Sequence, residues 1–133
     1  MRLYTNVFYQ LGIDFAVVSS LDGYDEISLT DEIKVMTRGY EQVFRPEQLG
    51  MNSIRPEELS GGATKEEAAA IFDRILEGRG TMAQTQCVLT NAAFAIQVME
   101  PDKELDECLA MARESLDSGS ALHTLKQFVE LNS

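Results

Sequence analysis

The chain has 133 residues, 44% of them hydrophobic, which suits one modest domain with a single core and excludes a compositionally disordered segment. Its 22 acidic and 11 basic residues leave a formal charge of −11, which argues against nucleic acid or an anionic membrane as a direct partner. No apolar run approaches membrane-spanning length and no secretory h-region opens the chain; Cys87 and Cys108 lack C-x-x-C partners or histidines at metal spacing, so the expected setting is the reducing cytoplasm.

Residues 2–11 read as a helix. Leu3, Val7, Phe8 and Leu11 recur at three- and four-residue spacing, and Gly12 suits a C-terminal cap. No N-cap stands before it, as if the chain began inside an element. Residues 14–19 form the most apolar strand candidate, expected to be buried on both faces. Residues 27–30 and 33–37 are expected as further strands, and Arg38-Gly39 as a turn into residues 40–44. Asp31-Glu32 reads as a solvated turn.

Pro46 and Pro56 each precede glutamates, as at the first turn of short helices, so residues 46–49 and 56–59 are expected as single helical turns. Gly61-Gly62 marks a turn, since no G-x-G-x-x-G or P-loop pattern is present. Thr64-x-x-Glu67 reads as a capping box for a helix over 65–77, with Ala68, Ile71, Phe72, Ile75 and Leu76 on one face. Residues 82–99 form the most apolar helix and are expected to be central, with Asn91 taken up by core packing or a neighbouring loop, packing being favoured. Pro101 ends it. Asp102 caps the next helix, which turns Leu105, Leu109, Ala112 and Leu116 inward. Ser118-Gly119 breaks that helix, and a last one holds Ala121, Leu122, Leu125, Phe128 and Val129. His123, the single histidine, has no evident nucleophile or carboxylate partner, so a triad hydrolase finds no support.

The stretch with chemical content is Leu21-Asp22-Gly23-Tyr24-Asp25-Glu26, which leaves the end of the first strand candidate. Loops at the ends of buried strands are where α/β proteins keep ligand groups. Gly23 supplies the backbone freedom for a sharp turn that lets Asp25 and Glu26 converge. Two adjacent carboxylates with no basic neighbour repel each other, and a hard divalent cation relieves that repulsion. Mg²⁺ takes one or two carboxylates, waters and substrate phosphates. In isolation such an acidic turn reads as a solvated loop.

Its surroundings change that reading. The run Phe15-Ala16-Val17-Val18, then Asp22-Gly23-Tyr24-Asp25-Glu26-Ile27-Ser28-Leu29, Pro46-Glu47, Gly61-Gly62, Leu76-Glu77-Gly78, Asn91-Ala92-Ala93 and Ser115-Leu116-Asp117-Ser118-Gly119-Ser120-Ala121 resembles, in order and spacing, the C-terminal part of the anthranilate phosphoribosyltransferases. The resemblance covers the chain from about residue 2 to its end. It implies an α/β fold, part of the mixed-sheet catalytic domain shared with nucleoside phosphorylases, with a few strands followed by about four helices. Residues 1–133 would be the C-terminal segment of that domain.

In the family a helical domain that forms the homodimer, the G-T-G-G-D loop for phosphoribosyl pyrophosphate, the K-H-G-N stretch and the anthranilate-associated arginine lie upstream. None of these occurs in this sequence, which reads as a fragment. The family's D-G-x-D-E motif binds Mg²⁺ through its second aspartate and its glutamate, which match Asp25 and Glu26. Asp22 and Gly23 match structural positions. No catalytic or substrate-contacting residue carries over. The activity implied for the full-length protein, in tryptophan biosynthesis, is transfer of phosphoribose from phosphoribosyl pyrophosphate to anthranilate. Departures occur at Asp31-Glu32-Ile33, where the family often has a Gly-Pro-Thr-like turn, and at Glu67, where it often has asparagine. Two other readings stay open: a segment of a nucleoside phosphorylase-like or nucleic-acid-binding relative, and a stand-alone acidic interaction module.

Overall fold

The structure is a computed structural model that describes residues 1–132. Helix α1 (Arg2–Leu11) leads into three strands, β1 (Ala16–Ser20), β2 (Ile33–Thr37) and β3 (Glu41–Phe44). Two 3-10 turns (Pro46–Leu49 and Pro56–Leu59) connect them to α2 (Lys65–Leu76), α3 (Met82–Met99), α4 (Leu105–Asp117) and α5 (Ser120–Leu131). This is the expected α/β order, one helix, a few strands and four helices. The strands form one antiparallel sheet in the order β1-β2-β3, with Val18 opposite Val35 and Ile33 opposite Phe44.

The core forms where β2 faces α3. Ile27, Leu29, Ile33 and Val35 are fully buried and join Phe94 of α3 and Leu49, Met51 and Ile54 of the connecting segment. Phe44 packs on Phe94 with ring centroids 6.0 Å apart. Each large apolar side chain so buried contributes about 1.5–3 kcal/mol. A second cluster, Leu89 with Ala112 and Leu116, joins α3 to α4. α3 is central, as its apolar composition implied: Ala83, Leu89, Thr90, Ala93 and Phe94 are all buried.

Several expectations are corrected. The first strand begins two residues later than expected, and Ala16–Ser19 are half-buried rather than buried on both faces; β1 is an edge strand of the three-stranded sheet. Residues 27–30 are not a strand. Leu29 adopts φ 62°, in the left-handed region, which breaks any extended run, and the Ser28 and Thr30 hydroxyls bond locally in place of a sheet ladder. Thr64 caps α2 by accepting from Glu67 N at 3.1 Å, but the Glu67 carboxylate takes Ala63 N and not Thr64 N. α2 buries Ile75, half-buries Ile71 and Leu76, and leaves Ala68 and Phe72 exposed, so its apolar face is only partly covered. α4 starts after Glu104, not Asp102, and Glu107 accepts the Glu104 N–H at 3.0 Å. α5 contains no buried residue, and Phe128 and Val129 face outward. On α1 the predicted apolar face is only partly used: Leu3, Val7 and Leu11 are exposed, Phe8 is half-buried against Phe15 with ring centroids 5.4 Å apart, and Tyr9 reaches over to donate to the Arg38 carbonyl at 2.7 Å.

Candidate functional site

The acidic loop leaves the C-terminal end of β1. Ser20, the last residue of the strand, is buried and organises the turn. Its N–H donates to Tyr24 O at 3.0 Å and its carbonyl accepts from Gly23 N at 3.2 Å. Gly23 has φ 107°, a conformation that L side chains rarely adopt, so the turn needs glycine there. Ser20 Oγ donates to Glu26 O at 2.9 Å and accepts from Ser28 N at 3.1 Å. The hydroxyls then run in a row, Ser20 to Ser28 at 2.7 Å and Ser28 to Thr30 at 2.6 Å, and Thr30 donates to the Asp22 carboxylate. Asp22 thus closes the loop on itself, a structural part.

The inner side of the loop rests on α3. Asn91 Oδ1 accepts from Ile27 N at 3.1 Å, and Asn91 Nδ2 donates to Ile27 O at 2.8 Å. Cys87 Sγ, one turn earlier, donates to the same carbonyl at 3.0 Å. Asn91 therefore faces the neighbouring loop, where packing was the favoured expectation. Burial first, then the negative charge of Glu26, push the Cys87 thiol from its ordinary value of 9.0 up to about 11, so Cys87 is a neutral donor and not a nucleophile. Cys108 is buried in the α4 packing, and His123 lies exposed on α5.

What the loop presents outward is Asp25 and Glu26. Both are exposed, and no hydrogen bond or ion pair engages either carboxylate among the described residues. The bases nearby in sequence are occupied elsewhere, Lys34 by Glu41 at 2.5 Å and Arg45 by Glu32 at 3.1 Å. No group of three or more His, Cys, Asp or Glu that could hold a metal occurs among the described residues. Two hard, unshared carboxylates suit a cation that keeps waters and takes its remaining ligands from phosphate oxygens, the habit of Mg²⁺, and do not suit a closed all-protein cage. A separate cavity of about 220 Å³ lies at the opposite end of β1, between Phe15, Arg38, Tyr40, Phe94 and Pro101, remote from the carboxylates.

The sequence points to Asp25 and Glu26 as candidates and not to the groups that tie down their loop: Ser20, Ser28, Thr30, Cys87 and Asn91. A polar Asn in the most apolar helix was the one available signal. The hydroxyl row carries no pattern of its own until the chain folds.

Comparison with known families defines the class of this α/β segment. Residues 1–122 match the α/β domain of the glycosyl transferase family, and the chain belongs to that family. It is 66% identical over 133 residues to the anthranilate phosphoribosyltransferase of Phocaeicola vulgatus, covering 100% of this chain and 40% of the relative. It is 58% identical over 132 residues to that of Bacteroides fragilis, covering 99% and 40%. The chain thus spans about 40% of the length of these relatives. Among solved structures it is similar to the Thermus thermophilus anthranilate phosphoribosyltransferase, at TM-score 0.80 and 31% identity over 92% of this chain and 36% of that one. The Saccharomyces cerevisiae enzyme in complex with phosphoribosyl pyrophosphate and Mg shares the fold, at TM-score 0.77 and 21% identity over 88% and 33%. No helix among the described residues is long and apolar enough to cross a membrane.

Proposed function

We infer that this chain is the C-terminal segment of an anthranilate phosphoribosyltransferase and supplies the Mg²⁺ ligands Asp25 and Glu26 to a cytoplasmic, homodimeric enzyme. The observation that carries this is the pair of adjacent, exposed carboxylates left without partners on a loop whose backbone is tied down on both sides. In the reaction the anthranilate nitrogen attacks C1 of phosphoribosyl pyrophosphate, the C–O bond breaks and pyrophosphate leaves. When bound, Mg²⁺ offsets the charge that grows on the leaving diphosphate.

This chain's residues do three things. Asp25 and Glu26 hold the cation as carboxylate ligands, with no role as general acids. Ser20 and Asn91 keep those ligands from collapsing onto the protein, so little ordering remains to be done on binding. Asp22, bonded to Thr30, stays out of the ligand set. The groups that hold the ribose and position the amine would come from the part of the relatives that this chain does not span.

The test is a chimera that joins this chain to the upstream part of the Phocaeicola vulgatus relative. Mg²⁺-dependent transfer to anthranilate is expected, with Asp25→Asn and Glu26→Gln each lowering kcat/KM by about 100-fold or more. A folded but inactive chimera would remove the transferase reading. An active one indifferent to both substitutions would remove the ligand assignment alone.

A further inference from the structure

Ile27 follows Glu26 directly and is fully buried. Both of its backbone polar groups are taken by one side chain. Asn91 accepts its N–H at 3.1 Å and donates to its carbonyl at 2.8 Å, as the peptide of a facing strand would. The second Nδ2 hydrogen goes to Cys87 O at 2.9 Å, one helical turn back. Both amide hydrogens and the amide oxygen are thus in use, and flipping the carboxamide would set donor against donor. The side chain has one satisfied orientation. A buried backbone N–H and C=O outside any sheet need partners, and α3 supplies them: Asn91 meets both groups, and Cys87 Sγ adds a second donor to the carbonyl at 3.0 Å.

On the other side, Ser20 holds Tyr24 O and Glu26 O at 3.0 and 2.9 Å. The peptide before Asp25 and the one after Glu26 are therefore pinned from β1, and the next residue is pinned from α3. Between these anchors lie one peptide, Asp25–Glu26, and the two carboxylate side chains. Asn is a modest helix former, and Ala, its neighbour at 92 and 93, would serve α3 better if packing were the only demand.

We propose that Asn91 is a positioning residue for the cation ligands: by gripping Ile27 it aims Asp25 and Glu26, so that α3 sets the affinity of the loop for a divalent cation. This rests on the reading of those carboxylates as ligands. Asn91 itself touches neither cation nor substrate.

The experiment measures Mn²⁺ affinity of the chain by electron paramagnetic resonance, with Mn²⁺ alone as the probe. Asn91→Leu, close in shape and apolar, and Asn91→Ser are each expected to weaken binding about tenfold in variants that keep the wild-type helical circular dichroism. Leu116→Ala, which loosens the separate α3–α4 cluster, is expected to lower stability and leave Mn²⁺ affinity unchanged. Wild-type affinity in a folded Asn91 variant overturns the proposal. So does an equal loss in Leu116→Ala, because general loosening would then be the cause.

A variant-free arm guards against failed folding. Coupling is reciprocal, so saturating Mg²⁺ should slow hydrogen exchange at the Ile27 amide of the wild-type chain more than at Leu89. Equal effects at both amides, or none, overturn the proposal. The double variant Asp25→Asn, Glu26→Gln separates the two levels. If it binds Mn²⁺ as the wild type does, the ligand reading falls and takes this proposal with it. If it has lost binding while Asn91→Leu has kept it, the positioning role alone falls.

Discussion

The hydroxyl of Ser20 donates to the carbonyl of Glu26 at 2.9 Å and accepts the N–H of Ser28 at 3.1 Å. One buried oxygen at the end of β1 thus bridges both sides of Ile27. Replacing Ser20 by Ala would leave the fully buried Ser28 N–H without that acceptor. A buried group left unpaired costs about 1–3 kcal/mol. Chemical denaturation of Ser20→Ala should show a loss of that size. Ser20→Thr, which retains the oxygen, should lose less.

The carboxylates of Asp25 and Glu26 make no hydrogen bond or ion pair among the described residues; Glu26 is tied to the fold through its backbone carbonyl alone. Asp25→Asn and Glu26→Gln should therefore leave the melting temperature in chelator unchanged or slightly raised, since each removes one negative charge from a chain of net charge −11. Mg²⁺ should raise the melting temperature of the wild type and not of the double variant, because a ligand stabilises only the folded state that binds it. Differential scanning calorimetry with and without Mg²⁺ checks both halves.

Leu29 combines complete burial with φ 62°, and its carbonyl accepts from Ile54 N at 2.9 Å. Removing the side chain opens the core and costs about 2–5 kcal/mol. Glycine also relieves the left-handed backbone, worth about 1 kcal/mol, which alanine does not. Leu29→Gly should thus be no less stable than Leu29→Ala, against the usual order. Paired urea denaturation curves decide it.

Burial and the charge of Glu26 raise the Cys87 thiol from 9.0 to about 11. A thiol ionises to an anion, and the raised value means that the unfolded chain ionises first. The contribution of Cys87 is therefore fully present below pH 9 and declines as pH rises through about 11. Burial raises Cys108 and Tyr40 in the same direction. Stability measured in urea from pH 8 upward should fall along this range, with a shallower slope in Cys87→Ser. Iodoacetamide should modify Cys87 slowly at pH 8.

Apolar side chains remain uncovered on α1, α2 and α5. Leu3 is 73% and Leu131 85% exposed. At about 25 cal/mol per Å², burial of a few hundred Å² of such surface is comparable with the stability of a domain. The chain in isolation should self-associate or rearrange its outer helices, and should catalyse no phosphoribosyl transfer. Light scattering and hydrogen exchange that report a rigid monomer, or turnover by the purified chain, would contradict this.

Local signals were sufficient for much of the molecule. The 3.6-residue periodicity located the five helices, Gly12 marked the end of the first, and prolines 46 and 56 marked the two short turns. The carboxylate pair was legible because adjacent acids beside a glycine form a purely local pattern. The segment at 27–30 was misread because its alternation mimics a strand. Its actual path depends on hydroxyls eight residues away and on a carboxamide 64 residues away.

What the sequence by itself determined is therefore the order of the helices, three of the four expected strands and the family resemblance, and it marked the acidic pair Asp25-Glu26, all through neighbours along the chain. The tertiary structure alone decided how that pair is held: Ser20 reaching across the turn and Asn91 reaching out of α3 to Ile27. The physical reason is that a buried peptide outside a sheet must find hydrogen-bond partners wherever the fold brings them. Sequence separation carries no record of which side chain will be near.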